Sequence, residues 1–118
     1  MKRTLISVAA VLALAVPLSA PASTTATRLT GTTGPGFTIT LKKAGRKVVA
    51  LPAGRYTITV SDKSTIHDFR LKGPGMNKVI TGVRFMGTKT VTLTLKSGRY
   101  TYVCTPHAGF MKGAFTVK

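Results

Sequence analysis

Threonine alternates with aliphatic or aromatic residues along much of this 118-residue chain. Phe37-Thr38-Ile39-Thr40-Leu41, Tyr56-Thr57-Ile58-Thr59-Val60 and Thr90-Val91-Thr92-Leu93-Thr94-Leu95 are the clearest runs. Period-two alternation of β-branched and apolar residues predicts strands with one face on a core and the other in water. Val48 to Leu51, Asp68 to Leu71, Val79 to Phe85, Arg99 to Cys104 and Ala114 to Val117 read as further short strands. Turn signals separate them: Gly34-Pro35-Gly36, Ala44-Gly45, Pro52-Ala53-Gly54, Gly73-Pro74-Gly75, Gly87 and Ser97-Gly98. No helical period extends beyond the apolar N-terminus. Seven or eight short strands at this spacing predict an all-β sandwich or small barrel.

One stretch is echoed. Gly54 to Val60 (G-R-Y-T-I-T-V) resembles Gly98 to Cys104 (G-R-Y-T-Y-V-C), each after a leucine-containing strand. Two copies do not make a repeat protein; a turn followed by a central strand with the same facing pattern accounts for both. In the second copy Tyr100, Tyr102 and Cys104 share a face, which points the cysteine inward with the tyrosines.

The N-terminus departs from the strand pattern. Met1-Lys2-Arg3 is a positive start, Thr4 to Val16 an apolar run, and Ser19-Ala20-Pro21-Ala22-Ser23 a small-residue site. This predicts a secretory signal peptide over 1–22, cut before Ser23, too short and wrongly flanked for a transmembrane helix. The expected mature chain is a flexible lead-in over 23–33, with a first strand near its end, and one compact domain over 34–118. Its expected location is periplasmic or extracellular, including the cell surface.

Charge narrows the partners. Eighteen Lys and Arg against two acidic residues, Asp62 and Asp68, give a formal net charge of +16. A field of one sign steers partners of the other, and salt weakens that steering. An exported chain without Trp or aromatic-basic interleaving does not suit nucleic acid. A redox partner protein with an acidic face, or peripheral contact with an anionic cell envelope, suits it better.

The candidate chemistry is concentrated near the end, in Y-V-C-T-P-H-A-G-F-M (Tyr102 to Met111). Cys104 is the single cysteine, and exported cysteines usually pair. It is a dimer link, an inert buried thiol or a metal ligand. His107 and Met111 follow in the same loop, and the second histidine, His67, lies beside Ile66 and Phe69. One thiolate, two imidazoles and a thioether form the ligand set of a mononuclear type 1 copper centre. His67 also reads as an ordinary strand histidine, and Met111 as core filler, with water or a backbone carbonyl then axial. Met76 and Met86 fit loop or core positions. An enzyme is not expected: a Cys nucleophile and its His base usually come from distant segments, and no acidic pair exists for acid–base work.

C-T-P-H-A-G-F-M followed by K-G-A-F-T-V, with H-D-F upstream, resembles the cupredoxins, the plastocyanin, amicyanin and pseudoazurin group of blue copper proteins. The resemblance is sharp over Ile66 to Leu71 and Tyr100 to Val117. It implies a Greek-key β-sandwich, with Cys104 as the thiolate, His67 and His107 as the imidazoles and Met111 as the weak axial ligand. It further implies one copper ion per chain cycling between Cu(I) and Cu(II), in a monomer. On this reading His67 sits on a strand as a rigid anchor, Pro106 stiffens the loop, and Gly109 lets it turn to return Met111. The ring edge of His107 is expected near the surface, framed by Pro106, Ala108 and Phe110.

Two positions depart from the group's pattern. Asp68 stands where Asn is usual; a carboxylate can still accept a hydrogen bond from Thr105 but adds negative charge, which is expected to favour Cu(II) and lower the potential. The three residues between His107 and Met111 fall between the group's shorter and longer loops. Three functions then compete: a one-electron carrier, a copper buffering or delivery protein, and a metal-free basic module for anionic envelope polymers.

Overall fold

The computed structural model describes residues 9–13, 15 and 25–118. The signal peptide expected over 1–22 and its cleavage point lie outside the described residues, except for 9–13 and 15, which carry no regular structure. Ten strands follow: β1 (Thr27–Thr33), β2 (Ile39–Lys43), β3 (Arg46–Lys47), β4 (Ala50–Leu51), β5 (Gly54–Asp62), β6 (Phe69–Gly73), β7 (Met76–Thr81), β8 (Gly87–Leu95), β9 (Gly98–Val103) and β10 (Lys112–Val117). Eight have five residues or more; β3 and β4 are two-residue pairings. A 3-10 turn over Thr105–His107 is the one helical element among the described residues.

The strands form two five-stranded sheets, ordered β3-β2-β1-β5-β8 and β4-β10-β9-β6-β7. β1 pairs parallel with β5 and β4 parallel with β10; the other pairs are antiparallel. The all-β sandwich expected from the alternation is therefore present, the chain crossing between the sheets after β3, β4, β5, β7 and β8. The first strand expected near the end of the 23–33 lead-in is present as Thr27–Thr33, and it is the middle strand of its sheet. Seven residues of parallel pairing with β5 and four of antiparallel pairing with β2 hold it there.

Alternation decides which side chains go inside. Along β5, Tyr56, Ile58, Val60 and Asp62 face the core, while Thr57 and Thr59 face out and meet Thr92 and Thr90 of β8 through hydroxyl contacts of 3.2 and 3.1 Å. The opposite sheet contributes Phe69, Leu71, Tyr100, Tyr102, Phe115 and Val117. Burying each large apolar side chain contributes about 1.5–3 kcal/mol. Tyr102 stacks on Phe69 and Tyr100 on Phe115, at centroid distances of 5.9 and 5.3 Å. Glycine makes room for these rings: a Cβ on Gly73 would overlap Tyr100, and one on Gly113 would overlap Tyr102.

Some boundaries differ from expectation. The Val79 to Phe85 strand is displaced: β7 starts at Met76 and stops at Thr81, and Phe85 N bonds back to Gly82 O in a turn. Val48 is buried, but only Ala50–Leu51 pair, because β4 is a short edge strand against β10. Pro74-Gly75 closes β6 onto β7, and Ala44-Gly45, both with positive φ, closes β2 onto β3.

Candidate metal centre

Two connections at one end of the sandwich supply the site. The first runs from Cys104 to Met111, between β9 and β10. Cys104 follows the inward-facing Tyr100 and Tyr102 and is fully buried. The 3-10 turn then reverses the chain, with Pro106 inside it. The carbonyl of His107 accepts from the amides of Phe110 and Met111, at 3.1 and 2.9 Å, and Cys104 N donates to Met111 O at 2.9 Å. These bonds close the loop and return Met111 to the interior, where it is 1% exposed. Gly109, expected to provide the turn, has no positive φ and open space around it; the carbonyl of His107 organises the return instead.

The second connection, from β5 to β6, carries His67. It was expected on a strand but lies two residues before β6. Its rigidity comes from a knotted turn in which Ser64 N donates to Asp62 Oδ1 and Ile66 N to Ser64 Oγ, each at 3.2 Å. The His67 ring is fully buried.

These connections bring three soft or borderline donors together. His67 Nδ1 lies 3.2 Å from His107 Nδ1, and Cys104 Sγ lies 3.6 and 3.5 Å from the two nitrogens. The centre of such a triangle is roughly 2.0 Å from each corner, close to the bonds of about 2.0–2.3 Å that nitrogen and sulfur make to a first-row ion. The donor set suits copper, since thiolate favours Cu(I) and imidazole serves both oxidation states. His67, Cys104 and His107 thus form a site of the right size and chemistry for the ion.

Electrostatics around the site is set by burial. Burial pushes the Cys104 thiol up from its ordinary value; the backbone amides of Asp68 and His107 pull it down, and the Asp68 charge adds a smaller upward push. Asp68 is buried and ties the two connections together: Oδ1 accepts from Thr105 N, and Oδ2 accepts from Thr105 Oγ1 at 2.6 Å. The same hydroxyl accepts from Arg70 Nε at 3.0 Å, and Arg70 Nη1 reaches Asn77 Oδ1 at 2.9 Å. The bond between Asp68 and Thr105 expected from the sequence is therefore present. Burial also pushes the Asp62 carboxyl up, against smaller downward pulls from the Thr81 hydroxyl, which stands close without closing a hydrogen bond, the Ser64 amide and the His67 ring.

Solvent reaches the site from one side. His107 is half-buried, while Phe110 and Phe37 are 63% and 58% exposed. Phe37 was expected only as a strand residue. Its ring instead meets His67 and His107 edge-on, at centroid distances of 5.5 and 5.1 Å, and Phe110 at 5.8 Å. Its place in a run of alternating residues offered no sign of this. Ile66 adds another exposed apolar side chain next to His67, whereas Met76 packs on the core and Met86 is exposed.

Comparison with known proteins agrees with the chemistry. Residues 32–118 match the family described as copper binding proteins, plastocyanin/azurin family. Rusticyanin from Thiobacillus ferrooxidans is similar in structure, with a TM-score of 0.56 at 25% identity over 77% of this chain and 76% of that one. Reduced rusticyanin gives 0.57 at 25%, over 77% and 78%, and substituted rusticyanins give 0.57 at 26%, over 77% and 76%. Comparison with curated protein sequences returned no match. The match over most of the chain, the sandwich and the His-Cys-His triangle lead to one conclusion: the chain is a cupredoxin of the plastocyanin/azurin family, with a site for one copper ion.

Proposed function

We propose that this cupredoxin is an exported one-electron carrier built on a type 1 copper centre. His67 and His107 would hold the ion through Nδ1 and Cys104 through Sγ, with the buried thioether of Met111 as a fourth, weaker donor. Copper bound there supplies a one-electron couple between Cu(I) and Cu(II). The observation that carries the reading is the buried donor triangle with one half-buried corner, His107.

The residues around the triangle do the rest. Loop hydrogen bonds and the clamp between Asp68 and Thr105 fix the donors, so that little need move between oxidation states. Phe37 and Phe110 pack on the ring of His107 and, with exposed Ile66, give a partner an apolar place to dock. Electrons leave there, toward a redox partner whose acidic face answers the strongly positive charge of the chain. Burial of Cys104, His67 and Met111 supports retention of copper over delivery. The N-terminal pattern over 1–22 supports export, and the absence of an acidic pair supports a carrier over an enzyme.

Adding Cu(II) to the purified protein tests this. An intense blue thiolate-to-copper band is expected, lost in Cys104→Ser, together with a fast reversible couple and slow copper loss to a chelator. Rapid surrender of copper would favour delivery instead. No blue band would sink the type 1 assignment.

A further inference from the structure

Among the described residues, four buried side-chain polar atoms lack a hydrogen-bond partner: Thr33 Oγ1, Asp62 Oδ2, His67 Nε2 and Thr81 Oγ1. Their residues are all 0–2% exposed. They come from four separate segments that gather around Asp62, which both the Thr81 hydroxyl and the His67 ring approach. Thr33 and Asp62 are register partners at the ends of β1 and β5, and Thr33 O accepts from Lys63 N. Gly34 follows, and a Cβ there would sit 3.0 Å from His67 Cδ2, beside the orphaned Nε2. Thr81, at the end of β7, pairs with Phe69, two residues beyond His67.

The chemistry of these atoms is complementary. His67 turns Nδ1 toward Cys104 and His107, so when Nδ1 is a donor to metal the ring proton must sit on Nε2. A buried N–H without an acceptor costs free energy. Asp62 Oδ1 is taken by Ser64 N, which leaves Oδ2 free to accept. Thr33 and Thr81 each add a hydroxyl that donates and accepts.

We propose that Asp62 is a positioning residue for His67, its Oδ2 accepting the Nε2–H proton through one buried water that the Thr33 and Thr81 hydroxyls share. A buried water needs two to four polar partners, and these residues offer four. The link fixes the tautomer that frees Nδ1 and places a carboxylate behind the imidazole, making the ring a stronger donor. It favours Cu(II) and lowers the reduction potential. This rests on the copper reading above, but the hydrogen bond exists with or without metal.

The test compares Asp62→Asn and Thr81→Val with the parent protein by two readouts. In metal-free protein labelled with 15N-histidine, His67 is expected as the Nε2–H tautomer with slow proton exchange. Both substitutions should speed that exchange. In copper-loaded protein Asp62→Asn should shift the electron-exchange equilibrium about tenfold toward Cu(I), a potential rise of about 59 mV for one electron. A merely structural Asp62 would change the melting temperature and leave tautomer, exchange and potential alone, which would overturn the proposal. Failure of the parent protein to form a blue centre would refute the copper reading, while the metal-free spectra would still decide the link between Asp62 and His67.

Discussion

At Cys104 a proton and a metal ion compete for one sulfur. Burial pushes this thiol above its ordinary value, so the metal-free protein carries it protonated at neutral pH. Binding through thiolate must then release one proton per ion. Copper affinity is expected to fall about tenfold for each pH unit lost between about 8 and 7, from the thiol proton alone. Chelator competition at several pH values measures the slope, and a flat profile would mean that the sulfur is not a ligand. The ligand candidates were legible in the sequence because Cys104, His107 and Met111 share one loop and His67 is the one remaining histidine. Asp62 and Phe37 were not. The alternation of β5 does put Asp62 on the inward face, yet its neighbours Thr33 and Thr81 arrive on strands far apart in sequence. Phe37 joins the site only because folding sets its ring against two histidines from different connections.

The two G-R-Y strands show how much an element conceals. The sequence echo pointed to two like-facing central strands, and both are present as β5 and β9. It did not reveal that each tyrosine hydroxyl reaches back four residues, Tyr56 to Pro52 O and Tyr100 to Lys96 O, forming a tyrosine corner at each strand entry. The short strand β3 was missed, since two exposed basic residues leave no hydrophobic trace. On β10 the decisive residue has no side chain. Gly113 lies against the Tyr102 ring, which stacks on Phe69 and tilts against Phe115. Gly113→Ala should cost about 1–3 kcal/mol or more by overpacking, read from chemical denaturation. Unchanged stability would mean that Tyr102 has room to slide. Because β10 begins directly after Met111, displacing it should also broaden the spectrum of the metal centre.

Across the whole molecule the repulsion is uneven. The β2–β3 hairpin sets Lys42 opposite Lys47 and Lys43 opposite Arg46, and like charges directly opposite are destabilising. With eighteen basic residues and two acids, the folded chain repels itself, and salt should relieve that strain. The melting temperature of the metal-free protein is expected to rise from low to moderate sodium chloride, while association with an acidic partner slows. A melting temperature indifferent to salt would mean that the charges are too far apart to matter.

Asp62 and Asp68, the two carboxylate side chains of the chain, are each 2% exposed and spent on the metal end. The exterior therefore holds no acidic side chain to titrate. Most proteins gain positive charge on acidification as surface carboxylates take up protons, and repulsion then helps to unfold them. Here the outer charge is set by Lys and Arg. Acid can reach the metal ligands and the two interior carboxylates, but it has almost no purchase on the shell, whose attraction for anions is tuned by ionic strength alone.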